Sequence, residues 1–195
     1  MERPSVGHDA LVETRSDSSA GMFTGVSDLV LGVLRPQVDS DWDIVAGSLD
    51  WTCRQTADHM VDCIFSYAFQ LASRAQEGFL PFGELHALPD ATPTDLVAGL
   101  VGVTELFSSL LRTVPKDVEA SDGVVSLNVD DWATRAAYEL LLHTHDITSG
   151  LGAQFDPPRP TCARVLASPK LWMLDQAAAS TTEDSWHALL IGSGR

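Results

Sequence analysis

Apolar residues recur at three- and four-residue steps through four long stretches of this chain, and that period predicts four helices. Phe23, Val26, Leu29, Val30 and Val33 mark the first, from about Met22 to Leu34, and Pro36 ends it because proline lacks an N–H and clashes with the preceding turn. The second opens at Thr52, where Gln55 three residues on completes a capping-box pattern, and runs to about Arg74 with Met60, Ile64, Tyr67 and Leu71 along a wide apolar side. Thr92 followed by Pro93 opens the third, whose apolar residues from Leu96 to Leu111 continue until Pro115. Asp130 is read as the cap of the fourth and Gly150 as its stop.

Between these stretches Pro81, Gly83 and Pro89 break the period, and the segment Gly123 to Val129 is ambiguous between a short extended piece and a loop. Pro157, Pro158 and Pro160 precede two shorter helical stretches, near 169–179 and 182–191, expected to form a packed C-terminal annex. Residues 1–20 mix Gly, Ser, Asp, Glu and Arg without periodicity and are expected to be a flexible N-terminus, leaving 21–195 as one domain. With no strand alternation and no internal repeat, the expected fold is all-α: a four-helix bundle with short additional C-terminal helices. Inward-facing polar residues of such a bundle meet near its core.

Composition narrows the setting. At 195 residues, 45% hydrophobic and 20% charged, the chain is long enough to bury a core without disulfides. The sequence is read as having no apolar run near the roughly 20 residues of a membrane span and no signal-peptide core, so the expected location is cytoplasmic. Twelve basic against 27 acidic residues give a net charge of −15, which repels phosphate backbones and anionic lipid, so neither nucleic acid nor membrane is an expected partner. Cys53, Cys63 and Cys162 match no zinc knuckle or Cys-x-x-Cys motif, which argues against a disulfide framework and fits a reducing compartment.

The candidate chemistry lies in the fourth helix. Glu139 and His143 are four residues apart, so they differ by about 40° around the axis and about 6 Å along it, close enough to share one ion. Such a pair is also a common surface contact, but leucines flank both residues, and a buried carboxylate needs a partner. His59, on the second helix, is placed to supply a third ligand and leave a coordination position open. Asp146 and Asp62 each follow a histidine by three residues, where a carboxylate could orient the imidazole or simply be solvated. Cys63 falls on the face of His59, as an extra ligand or nucleophile or as a small buried hydrophobe. His145 lies about 200° around from His143 and reads as a packing or surface histidine. Trp42, Trp51 and Trp132 either line a pocket or close the ends of the core.

The motif Trp51-Thr-x6-His59, followed by Ala136-Ala-x-Glu139-Leu-x-x-His143-x-x-Asp146-Ile147, resembles the DinB-like superfamily, and more narrowly the N-terminal metal-binding domain of mycothiol-dependent maleylpyruvate isomerases. The ending from Asp184 to Arg195 is also similar to tails of that group, so the resemblance extends from about Met22 onward. It implies a four-helix bundle holding a divalent metal, usually zinc, at positions matched here by His59, Glu139 and His143. It also implies activation of mycothiol or a similar low-molecular-weight thiol for transfer to a small electrophile. The full-length isomerase has a second domain with a catalytic arginine that this sequence does not extend into, so the expectation is a thiol transferase rather than an isomerase. Two other classes stay open: a non-catalytic metal-containing bundle that binds a small molecule or a protein, and a metal-assisted hydrolase. The expected partners are a thiol and an electrophile. A homodimer is compatible with the sequence, which does not set the oligomeric state.

Overall fold

The structure, a computed structural model, describes residues 18–171 and 173–195. The expected flexible N-terminus at 1–20 lies outside the described residues except for its last three, and those cap and begin the first helix. The fold is mostly helical, with four long helices, three short ones, a 3-10 turn and one two-stranded hairpin among the described residues.

Local chemistry sets the boundaries. Helix α1, Ser19–Leu34, begins before its apolar period does because the Ser18 side chain accepts the Gly21 N–H at 3.0 Å. Helix α2, Cys53–Ser73, has both arms of the Thr52–Gln55 capping box and ends where Arg74 turns left-handed at φ 54°. Helix α3, Pro93–Thr113, is boxed by Thr92 and Asp95. Helix α4, Val129–Leu151, is capped by Asn128 with Asp131 rather than by Asp130, because the segment before it is the strand β2, Ser126–Asn128, paired antiparallel with β1, Glu119–Ser121. Short helices α5, Arg159–Leu166, α6, Gln176–Ala179, and α7, Ser185–Gly192, complete the chain. The first of them was not expected among the prolines, yet Pro160 sits in its first turn, where a missing N–H costs nothing.

Each long helix packs against two others: α1 on α4 and α3, and α2 on α3 and α4. Phe23 of α1 meets Phe107 of α3 edge-on at 4.9 Å in the core between them. Helix α3 corrects one reading of the sequence. It is long and apolar enough by composition to cross a membrane, with a mean hydropathy of 1.4 in its most apolar window, because Gly, Val and Leu dominate its interior. Leu96, Leu100, Val103 and Phe107 on that helix are buried in the core.

Helix α4 is the most enclosed element, with 17 of its 23 residues buried. The segment 42–53 is folded on itself by Cys53 N–H to the Ile44 carbonyl at 2.8 Å and Ala46 N–H to the Trp51 carbonyl at 2.9 Å, and it meets the C-terminal half of α4 where Cys53 Sγ approaches the Ile147 carbonyl at 3.6 Å. Two glycines permit that approach. A methyl group on Gly150 would run into the Val45 carbonyl oxygen and lie 3.0 Å from Cys53 Sγ, whereas Gly47, at φ 55°, sits directly over the Asp146 backbone. Gly150 is thus a packing residue inside α4, and the helix stop is Gly152, left-handed at φ 70°. We expect Gly150→Ala to destabilise the protein by about 1–3 kcal/mol through overpacking. Gly32→Ala, in α1 where the added methyl meets nothing, should stabilise it by about 0.5–1 kcal/mol. Urea denaturation of both variants checks this, and equal effects would contradict the assigned close approach.

Candidate metal centre

His59 projects from the second turn of α2, and Glu139 and His143 from successive turns of α4 that face it. One ligand atom from each residue lies within 4.8 Å of the other two. His143 Nε2 is 3.2 Å from Glu139 Oε2, and the two imidazoles meet edge-to-face with centroids 5.0 Å apart. Tetrahedral nitrogen and oxygen ligands at about 2.0–2.1 Å from zinc are about 3.3 Å from one another, so a small contraction of this cluster would seat the ion.

The surrounding hydrogen bonds orient these donors. The Asp146 carboxylate, 1% exposed, accepts from His143 Nδ1 at 3.1 Å. That bond places a hydrogen on Nδ1 and turns Nε2, the nitrogen that can coordinate once deprotonated, toward Glu139 and His59. Tyr67 donates its hydroxyl to Glu139 Oε1 at 3.2 Å, so one carboxylate oxygen is held back while the other faces the cluster. Asp146 is gripped in turn by Arg195, whose Nε lies 3.0 Å from Oδ1 and whose Nη2 lies 2.8 Å from Oδ2.

Electrostatics divides the two histidines. Burial, and then the neighbouring His143, lower the pKa of His59 and keep it neutral. Burial also opposes charge on His143, but hydrogen bonds and attraction from Asp146 and Glu139 outweigh it, and its pKa rises above the ordinary imidazole value. Burial would raise Glu139, yet His143, His59 and Tyr67 together hold it below the usual carboxylate range. The two histidines thus differ: their surroundings disfavour a proton on His59 and favour one on His143, whose Nε2 faces the place where a cation would bind.

The three donors form part of the wall of an open cavity of about 590 Å³, with Trp51, Tyr138, Leu142, Met173 and Arg195 around them. Trp51, 42% exposed, places its indole centroid 4.9 Å from the His59 ring. Of the other tryptophans considered from the sequence, Trp42 is buried with Nε1 donating to the Gln37 carbonyl at 2.8 Å, and Trp132 is buried against Tyr67. His145 stacks edge-on to Trp186 at 5.6 Å and takes no part in the cluster. Asp62 accepts the Leu85 N–H at 2.7 Å and ties down the loop after α2, without a hydrogen bond to His59. Cys63 Sγ is 3.3 Å from His59 Nε2 and lines the cavity, but burial and then Glu139 push its thiol well up, so it stays protonated. Cys53 and Cys162 are buried elsewhere, each with its pKa pushed up to about 11, chiefly by desolvation.

Two residues of the centre were not singled out from the sequence. Tyr67 reads as one more apolar position of α2, although it falls two four-residue steps after His59 through Cys63, a spacing that carries a polar group down the same face. Arg195 carries no local signal, since its partner is 49 residues away. Compared with known proteins, the chain matches no family model, no curated protein and no solved structure.

Cation binding requires His143 to release its Nε2 proton. With the His143 pKa raised, divalent-metal affinity should increase as pH rises through and above the ordinary imidazole range and fall as pH drops below it. Titration calorimetry in two buffers of different ionisation enthalpy should show net proton release near neutrality. Tighter binding at acid pH, or no proton release, would contradict the assignment.

Proposed function

We propose that this chain is a metal-dependent enzyme of the DinB-like four-helix-bundle type. In this reading His59, Glu139 and His143 hold a divalent ion, and mycothiol or a similar low-molecular-weight thiol is activated there for transfer to a small electrophile. The observation that carries the reading is that the three donors converge on the wall of an open cavity rather than inside closed packing. Three protein donors with room for a fourth, exchangeable ligand are the pattern of working sites, whereas structural zinc sites are closed by four. Two imidazoles and one carboxylate suit zinc, with iron, nickel and manganese as the other metals such a set accepts. The choice of a thiol rests on the resemblance of the His59 and Glu139–His143 motifs, in their order along the chain, to the mycothiol-dependent group.

A bound zinc ion would supply Lewis acidity, lowering the pKa of a coordinating thiol and fixing its sulfur toward the electrophile. Asp146 holds the His143 imidazole in one tautomer and one orientation. Tyr67 restrains the rear oxygen of Glu139. Trp51, Leu142 and Met173 give the cavity apolar wall, which limits water around a nucleophilic sulfur. Tyr138, its pKa pushed up to about 12 mainly by burial and then by Glu139, remains a neutral hydroxyl on the same wall.

The test uses cobalt(II) in place of zinc. Addition of mycothiol to the cobalt protein should produce a sulfur-to-cobalt charge-transfer band, and His143→Ala should lose both stoichiometric metal and the band. Full metal retention in His143→Ala would overturn the ligand assignment. A metal-loaded parent protein that gives no such band with any small thiol would favour a non-catalytic bundle whose ion is structural.

A further inference from the structure

The C-terminal helices read from the sequence as an annex, yet they deliver a side chain into the metal centre. Helix α7 is fixed at its start by Asp184, which accepts the Trp186 and His187 N–H groups, and Trp186 packs edge-on against Phe155 with centroids 5.9 Å apart. At its end the Gly192 carbonyl accepts the Asp175 N–H at 2.7 Å, and Gly192 is so closed in that a methyl group there would run into Leu174 and press tightly on Ala179. The backbone then turns so that the Arg195 N–H reaches the Leu190 carbonyl at 2.8 Å. From that anchored position the guanidinium enters the cavity that holds His59, Glu139 and His143.

We propose that Arg195 is a positioning residue of the metal centre, acting through Asp146 on His143, so that the C-terminal segment is part of the site. The inference rests on the reading of His59, Glu139 and His143 as metal ligands. Arg195 engages both Asp146 oxygens in a planar fork, with Nε at 3.0 Å from Oδ1 and 3.1 Å from Oδ2, and Nη2 at 2.8 Å from Oδ2. A carboxylate seized at both oxygens cannot rotate, and its Oδ2 is the atom that meets His143 Nδ1. Gly47 covers the backbone of Asp146, so the carboxylate is enclosed by the 42–53 segment as well as by the guanidinium. Nη1 also reaches the Ser193 carbonyl at 3.3 Å, which ties the fork to the turn that carries it. Without Arg195 the Asp146 carboxylate would keep, among the described residues, His143 alone as a side-chain partner, and the imidazole would be less firmly aimed at Glu139 and His59.

Zinc affinity should be measured by competition with a chromogenic chelator for the parent chain, Arg195→Gln, Arg195→Lys, Asp146→Asn and the Arg195→Gln/Asp146→Asn double variant, with far-UV circular dichroism of each metal-free protein as a control for folding. We expect Asp146→Asn to weaken zinc binding by about 10- to 100-fold, the usual effect of removing a group that orients a metal-bound histidine, and Arg195→Gln to weaken it measurably but by no more than that. Arg195→Lys, which keeps the charge but not the fork, should lie between the parent and Arg195→Gln. The double variant should bind no more weakly than Asp146→Asn alone, because Arg195 then has nothing left to position. The cobalt(II) ligand-field spectrum should change in Arg195→Gln, an effect that loss of a purely structural ion pair would not produce. Parent-like affinity in both Arg195 variants, or losses in the two single variants that multiply in the double, would overturn the proposal while leaving the metal reading intact. Absence of zinc binding by the parent chain would instead sink the metal reading on which the proposal rests.

Discussion

Helix α4 is buried on nearly every side, and it nonetheless carries Arg135, Glu139, His143 and Asp146. A buried charge is tolerable only with a partner, because removing one member of such a pair costs about 3–5 kcal/mol, against about 0–1 kcal/mol for an exposed pair. The partners come from three separate parts of the fold. Asp122, in the turn between the two strands, takes Arg135 at 2.6 Å. Tyr67 and His59 of α2 face Glu139, and Arg195 beyond α7 takes Asp146. The obligation to pair these four groups links α2, the hairpin and the C-terminal helices to α4. Surface pairs such as Arg54 with Asp43 contribute little to that arrangement.

The same obligation explains why a polar cluster is stable at the edge of a core. Glu139 and His143 share a hydrogen bond, and the cavity beside them leaves both 7% exposed rather than sealed. Glu139 is held by Tyr67 and by its ion pair with His143, and His143 by Asp146, so these side chains are fixed by the protein itself. Pre-organised donors of this kind limit the reorganisation that accompanies binding. The order runs outward from the donors: His143 is held by Asp146, Asp146 by Arg195, and Arg195 by the turn that ends α7.

Much of this was legible in the sequence because it is local. The helical period placed α1 to α4, and the Thr52–Gln55 and Thr92–Pro93 signals marked two starts to the residue. The four-residue step from Glu139 to His143 puts both on one face whatever the tertiary fold, so that half of the cluster followed from helix geometry alone. Other features depend on contacts that periodicity does not encode. Gly150 reads as a stop, and only the approach of Val45 and Cys53 shows it to be a packing position within α4. Asn128 and not Asp130 caps α4 because a strand pairing ends there. Arg195 lies 49 residues from its partner in sequence and past the end of α7, so no spacing rule could have connected it to Asp146.

Everything proposed for this protein depends on three side chains from two helices forming one cation site. Elemental analysis of the chain purified without a histidine tag and without added metal, beside His59→Ala prepared in the same way, decides it. A single site of this kind gives about one equivalent of a divalent metal in the parent and almost none in the variant. A parent chain that takes up no metal even after reconstitution, or a His59→Ala variant that retains a full equivalent, would contradict it.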